Sequence, residues 1–229
     1  MFTFNLRNAR KQKRMTQRQV ADRMGVSQAY VSMLEGNKRR VPSRQLAKVV
    51  GAYGLSASAL PFHGSKNWDR VDGDKVATEL GTLGYPGFAY MRVGRPKWNP
   101  AELLLAALTK DDLETRVTEG LPWLAYTHSD MDWDWVVREA KNNNVTNRLG
   151  FVVTLARELA ERKGDTATVA RLRAVEARLQ PCVLLHPRTL CREHMTQAER
   201  RWLSTRSTPQ ARQWNVLSDL SLEHLAHAT

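Results

Sequence analysis

The chain has 229 residues, of which 42% are hydrophobic and 25% charged, and a net charge of +12. This is the composition of a folded globular protein with one or two domains, and it excludes disordered and fibrous chains. The sequence has no 18-residue apolar run, which argues against a membrane-spanning protein. It has no secretory signal region and only two cysteines, which argues against a secreted protein. We therefore expect a cytoplasmic protein.

The positive charge is concentrated at the N-terminus. Residues 1–60 contain 12 Lys and Arg against two acidic residues, Asp22 and Glu35, which gives +10. Residues 61–229 contain 23 basic and 21 acidic residues, which gives +2. A basic patch confined to one small segment favours a polyanionic partner.

The N-terminal segment predicts consecutive short helices. Residues 5–14 form the first, with Leu6 facing inward. In residues 16–35, Thr16 is placed to cap a second helix together with Gln19, and Gly25 to end it. Ser27 caps the next helix, whose inward residues are Val31 and Leu34 and whose outward residues are Gln28, Ala29, Ser32 and Met33. An ordinary helical hairpin has a similar pattern, but the short turn, the flanking helices and the charge favour a DNA-binding helix-turn-helix.

The following residues complete a small helical domain. A loop carries Lys38, Arg39 and Arg40, a fourth helix begins near Pro42, and residues 56–60 form a short fifth helix. Residues 6–60 resemble the XRE/Cro/C1-type helix-turn-helix domain of phage repressors and bacterial regulators. The residues that carry the resemblance are Leu6, Ala9, Arg10, Thr16, Gln17, Val20, Ala21, Gly25, Val26, Ser27, Gln28, Val31, Ser32, Leu34, Glu35 and Gly36. The loop after Gly36 is more basic than is usual in the family.

The resemblance implies a lambda-repressor-like five-helix DNA-binding domain, and the helical pattern of the rest of the chain predicts an all-α protein in which a larger helical domain follows. The resemblance also places the helix from Ser27 to Glu35 in the major groove of double-stranded DNA, usually as a homodimer. The implied base contacts are Gln28, Ala29, Ser32 and Met33. The resemblance implies a phosphate contact by Gln17, and the position and charge of the neighbouring residues add Arg10, Tyr30, Lys38, Arg39 and Arg40 as predicted phosphate contacts. Two alternatives stay open, since Tyr30 can be a packing residue and Arg10 can pair with Glu35.

The remainder of the chain is predicted to be helical. We expect domains at residues 1–62 and 74–229 joined by a linker at residues 63–73, because residues 61–74 are polar and contain Gly and Pro. Residues 84–100 form an aromatic loop or a short hairpin. The predicted helices span residues 74–83, 101–109, 111–126, 132–143, 146–163, 166–179, 189–205 and 210–227. Residues 121–162 are similar to the C-terminal region of XRE-type regulators found beside toxin or phage-defence genes.

Other clusters do not match a known chemistry. Cys182, His186, Cys191 and His194 have ligand types for zinc but no common zinc spacing, so inert residues are favoured over a metal site. Asp130, Asp132 and Asp134 alternate as in a calcium loop, but Trp135 replaces the required glycine, which favours helix capping. Residues 142–144 and 147–148 form either a polar binding surface or a solvated turn. No catalytic, cofactor or phosphate-loop motif is present.

The sequence therefore predicts a DNA-binding transcriptional regulator, a repressor that binds a palindromic operator as a dimer, without enzymatic activity. One alternative is an antitoxin of a toxin–antitoxin or phage-defence operon that represses its own operon and binds its partner, a toxin or defence protein, through the C-terminal domain. A second is an enzyme built on the helical domain and regulated by the DNA-binding domain.

Overall fold

The computed structural model describes residues 6–63, 68 and 71–225, and the described chain is almost entirely helical. Four α-helices lie in the N-terminal part: α1 Leu6–Gln12, α2 Gln17–Met24, α3 Gln28–Glu35 and α4 Leu46–Tyr53. The others are α5 Gly73–Leu83, α6 Pro100–Leu108, α7 Thr115–Thr127, α8 Trp133–Asn142, α9 Thr146–Arg162, α10 Thr166–Leu179, α11 Gln197–Arg206 and α12 Pro209–Gln213. Two-residue strands, β1 Arg188–Thr189 and β2 Val216–Leu217, pair in parallel. The predicted all-α fold is confirmed.

The N-terminal helices share a core of their own. Its fully buried members are Leu6, Val20, Ala21, Met24, Val31, Leu34, Val49, Ala52 and Tyr53. Two predicted elements differ from expectation. The fourth helix begins at Leu46 after a 3-10 turn at Ser43–Gln45, and the predicted fifth helix is a 3-10 turn at Ala57–Ala59. A single turn suffices there, because the carbonyls of Ser58 and Leu60 bond to Asn99 outside the turn.

Residues 58–63, which follow the first core in the chain, are hydrogen-bonded directly to the second part of the chain. The Asn99 amide donates to the carbonyls of Ser58 and Leu60 at 3.0 and 2.6 Å. The Ser58 hydroxyl donates to Asp130 at 2.8 Å, and the backbone N–H of His63 donates to the buried Glu102 carboxylate. Most of the predicted linker lies outside the described residues, but Trp68 and Val71 are buried in the second core. The domain boundary stays a prediction.

Helix α9 runs through the centre of the second core. Its side chains from Thr146 to Ala156 are buried, and it packs on α7 and α10. Gly150 allows α9 to pack directly against Trp214, because a Cβ atom at this position would overlap the indole ring. The Trp214 Nε1–H also donates to the Thr154 hydroxyl at 2.7 Å. The last segment of the described chain is thereby packed onto α9.

The two helices predicted near the C-terminus are shorter in the structure than expected. The helix expected at residues 189–205 begins only at Gln197, because residues 191–193 bond instead to residues 111–113. The helix expected at residues 210–227 ends at Gln213, because Asn215 takes a left-handed conformation and Val216 pairs with β1. Residues 226–227 lie outside the described part of the chain. Residues 84–100 contain a 3-10 segment at Pro86–Met91 rather than a hairpin.

Within the described residues, no helix is both long and apolar enough to cross a membrane.

Candidate nucleic-acid interface

The turn between α2 and α3 has the geometry that its sequence predicts. The Thr16 hydroxyl and the Gln19 side chain form a complete capping box at the start of α2. Gly25 ends the helix at a φ of 65°, and its N–H donates to the carbonyls of Ala21 and Asp22. The Ser27 hydroxyl then accepts the Tyr30 N–H at 3.2 Å and starts α3. These local bonds fix the entry point of α3.

Helix α3 buries one face and presents the other to solvent. Val31 and Leu34 are buried in the first core, as predicted. Gln28, Ala29 and Ser32 are exposed, and Met33 is half-buried. The four side chains predicted to contact bases thus share the accessible side of one rigid helix. Their contacts with DNA stay predictions.

Glu35 connects all four helices of the N-terminal core. Its carboxylate accepts Arg10 Nε and Nη2 from α1 at 2.7 and 2.9 Å, and Gln17 Nε2 from α2 at 3.0 Å. The Tyr53 hydroxyl of α4 donates to it at 3.2 Å. The Glu35 side chain is only 2% exposed. It therefore neutralises part of the basic face from an almost fully buried position.

The ionisation of Glu35 follows from these contacts. Burial acts to raise its pKa, but the hydrogen bonds from Arg10, Gln17 and Tyr53 and the charge of Arg10 outweigh it and lower the pKa below its ordinary value. The hydrogen bond with Glu35 raises the pKa of Arg10 in turn. Glu35 consequently stays ionised and holds its three partners at neutral pH.

Two predicted phosphate contacts, Arg10 and Gln17, are engaged by this carboxylate. Arg10 also donates from Nη1 to the Met15 carbonyl at 2.8 Å, so three of its five N–H donors have partners within the fold. The structure thus has the pairing of Arg10 with Glu35 that the sequence left open. Any phosphate contact by Arg10 or Gln17 has to use their remaining donors.

A surface depression of about 230 Å³ opens beside Gln17. Ser32, Met33 and Glu35 of α3, Lys38 of the following loop and Arg7 of α1 also line it. Arg7 is not among the residues that the sequence predicts to contact DNA. Only the packing of α1 against α3 brings Arg7 to this depression, where Arg7 and Lys38 lie beside Glu35.

Tyr30 is a packing residue in the structure. Its hydroxyl donates to Gln45 at 2.8 Å, and its half-buried ring lies under the Arg39 guanidinium, 5.0 Å from the ring centroid. Lys38, Arg39 and Arg40 are all exposed, and within the described chain they form no ion pair. The loop after α3 is therefore a block of unneutralised positive charge next to the exposed face of α3.

The clusters outside this face have structural partners. Asp132 caps α8 through the Trp135 N–H, Asp130 accepts the Ser58 hydroxyl, and Asp134 pairs with Arg178. Asp132 thus caps a helix as predicted, whereas Asp130 and Asp134 have partners of other kinds.

The cysteines and histidines near the C-terminus also have separate surroundings. Cys191 is buried, which raises its pKa to about 11, and its thiol contacts the Ala107 carbonyl. His194 is exposed and bonds to Asp112. Among the described residues, no three His, Cys, Asp or Glu side chains converge on a metal position.

The interpretation of residues 147–148 as a polar surface or solvated turn is wrong. Asn147 and Arg148 are 1% and 3% exposed. The Asn147 amide exchanges two hydrogen bonds with the backbone of Leu184, at 2.9 and 2.7 Å. Arg148 donates to the carbonyls of Leu108, Lys110 and Thr189 and pairs with Glu193. These polar side chains hold extended backbone against α9, which sequence periodicity cannot reveal.

Comparison with known proteins identifies the N-terminal part. A family model described as helix-turn-helix matches residues 6–60, about a quarter of the chain. No curated protein and no solved structure matches the chain.

Proposed function

We propose that this chain represses transcription by binding a near-palindromic operator as a homodimer. Its residues 6–60 match the helix-turn-helix family of DNA-binding regulators, of the XRE/Cro/C1 type. The observation that carries the proposal is the exposed face of α3. Its accessible side chains Gln28, Ala29 and Ser32 stand on a helix fixed by two caps, two buried apolar residues and the Glu35 cluster. A rigid helix with an accessible polar edge is what reading a base sequence requires.

We assign each side chain on this face a role in base recognition. The Gln28 amide has the donor and acceptor that pair with adenine N7 and N6 in the major groove. Ala29 and Met33 offer apolar contact to a thymine methyl group. Ser32 has a hydroxyl that bonds either a base edge or a phosphate. These four residues would set the preferred sequence.

The phosphate contacts come from the cations around the helix. Lys38, Arg39 and Arg40 are exposed, have no acidic partner among the described residues, and would follow the DNA backbone. Arg7 and the free donors of Gln17 would bind a phosphate at the depression between α1, α2 and α3. Arg10 acts mainly by fixing Glu35 and thus the relative position of α1 and α3.

The proposed dimer follows from the size of the motif. One helix-turn-helix domain covers one half-site, and the half-sites of such operators lie about 10 base pairs apart. The second part of the chain would then supply dimerisation or sense an effector. We also propose that the protein acts in the cytoplasm, where it has access to the chromosome.

Selection of bound duplexes from a random pool, combined with the mass of the protein in solution, tests this function. We expect an inverted repeat and the mass of a dimer, and Gln28→Ala should change the selected bases. Binding to all sequences with equal affinity, by a monomer, would contradict the proposal.

The antitoxin alternative has the same DNA face but adds a protein partner on the second part of the chain. Large apolar side chains at Leu185, Tyr90 and Trp202 are exposed there, and a partner could cover them. Stoichiometric copurification of a neighbouring gene product that the second part of the chain inhibits would favour this function over simple repression.

The enzyme alternative would need a site in the second part of the chain. A cleft lined by Glu119, Arg192, Asp219 and His224 has a volume of about 170 Å³, below the range of about 300–1,000 Å³ that is usual for ligand pockets. We therefore propose that this part of the chain binds partners and does not catalyse a reaction.

A further inference from the structure

A second group of cations lies on the loop that follows the 3-10 segment Pro86–Met91. Arg92, Arg95 and Lys97 occur within six residues and are exposed. Within the described chain none of these three side chains has an acidic partner. They belong to the part of the chain whose overall charge is nearly balanced.

This loop is held in place by α5. The Glu79 carboxylate accepts the backbone N–H groups of Lys97 and Trp98, and the Thr82 hydroxyl contacts the backbone of Val93. The Glu79 carboxylate is thus buried and used by backbone groups. The backbone of the loop is therefore held in place, while its cationic side chains are exposed to solvent.

Arg95 brings the loop onto the N-terminal domain. Its guanidinium lies over Gly51 of α4, where a Cβ atom would be only 3.3–3.5 Å from Nη1, Cζ and Nε. Gly51, Lys48 and Arg44 are exposed and are spaced three and four residues apart, which places them on one side of the turn and helix. The second part of the chain thus adds Arg95 to the end of a row that already contains two cations.

The same row reaches the proposed DNA interface at its other end. Arg44 precedes Gln45, which bonds to Tyr30 of α3, and the Tyr30 ring lies under Arg39. From residue 44 to residue 51 a helical rise covers about 10 Å. Duplex DNA presents about one negative charge every 1.7 Å along its axis. A row of this length can therefore face several phosphates.

We propose that Arg92, Arg95 and Lys97 form, with Arg44 and Lys48, a basic ridge that binds the DNA backbone outside the base pairs read by α3. This inference rests on the proposed function, because it extends the same DNA interface. The ridge contributes affinity without sequence preference, since it presents cations to phosphates and no groups to base edges. It also makes the orientation of the second part of the chain relative to α4 a determinant of DNA affinity.

The test is the salt dependence of binding to a fluorescent duplex of mixed sequence, about 30 base pairs or three helical turns long. The variant Arg92→Gln/Arg95→Gln/Lys97→Gln of the full chain is compared with wild type. A control, Arg162→Gln/Arg201→Gln/Arg206→Gln, removes the same charge from exposed arginines of α9 and α11. Thermal unfolding of each variant verifies that the fold is retained.

Loss of the three loop cations should make the slope of log K against log salt shallower by roughly two to three units, about one for each phosphate contact, while the control keeps the wild-type slope. A duplex of about 10 base pairs, one helical turn, should reduce the difference between ridge variant and wild type. Equal slopes in ridge variant and wild type, or an equal fall in ridge variant and control, would overturn the ridge. Failure of wild type to bind any duplex would instead overturn the proposed function and the ridge together.

Discussion

The Arg10 guanidinium and the Glu35 carboxylate form a two-point ion pair, with Nε–Oε1 at 2.7 Å and Nη2–Oε2 at 2.9 Å. The Glu35 side chain is 2% exposed and that of Arg10 12%. The pair joins the first helix to the end of the helix proposed to read DNA. It therefore couples the stability of the domain to the position of its recognition face.

Removal of one partner should destabilise the domain strongly. Glu35→Ala leaves Arg10 buried without its counter-charge, and we expect a loss of about 3 kcal/mol in the free energy of unfolding. Arg10→Met/Glu35→Met removes both charges and should recover much of that loss. Urea unfolding measures both variants. Glu161→Ala, which breaks exposed ion pairs, is the control and should cost at most about 1 kcal/mol. Equal effects of Glu35→Ala and Glu161→Ala would contradict a special role for the buried pair.

Acid should remove the contribution of Glu35. Its pKa in the folded state is below its ordinary value of 4.5, so the folded state binds this proton less readily than the unfolded state. The resulting stability is complete above the unfolded pKa and is lost as pH falls from there through the folded pKa. The difference in unfolding free energy between wild type and Glu35→Gln should thus be constant near neutral pH and shrink below about pH 4.5. A difference that grows on acidification would contradict the lowered pKa.

Base recognition and phosphate binding should separate in two single variants. Gln28→Ala removes an amide from the exposed face of α3 and should lose about 1–3 kcal/mol of discrimination at one base pair, with the salt slope unchanged. Arg39→Ala should weaken binding to all sequences alike and flatten the salt slope by about one unit. Gel-shift titrations on the selected operator and on single-base variants provide both quantities. Arg162→Ala serves as the charge control, and identical sequence profiles for wild type and Gln28→Ala would disprove the base contact.

Gly150 should tolerate no side chain. Its hydrogen faces the indole of the buried Trp214, and a methyl group there would overlap the ring. Gly150→Ala should therefore destabilise the second core by about 3 kcal/mol or more, because neither α9 nor the ring has space to retreat. Gly73→Ala is the matched control, since its added methyl group would meet Leu113 at an ordinary 3.6 Å. Thermal unfolding of both variants distinguishes them, and similar melting temperatures would show that Trp214 can shift.

Local sequence determined the helix-turn-helix in detail. Thr16, Gly25 and Ser27 cap or end helices through hydrogen bonds to residues no more than four positions away. Their roles can therefore be predicted from the local sequence. The inward positions of Val31 and Leu34 follow from helical periodicity, which is local as well. The asymmetry of charge between residues 1–60 and the rest is a property of the sequence alone.

Tertiary structure decided what depends on distant partners. Asn147 and Arg148 bond to backbone more than 35 residues away, and nothing in their neighbourhood indicates it. The predicted C-terminal helix ends early because Val216 pairs with Arg188, a contact that outweighs local helix propensity. Arg95 joins the face of α4 only because α5 holds its loop there. Caps and periodicity act within one turn of helix, whereas buried polar groups are satisfied wherever the folded chain brings a partner, and only the tertiary structure specifies that place.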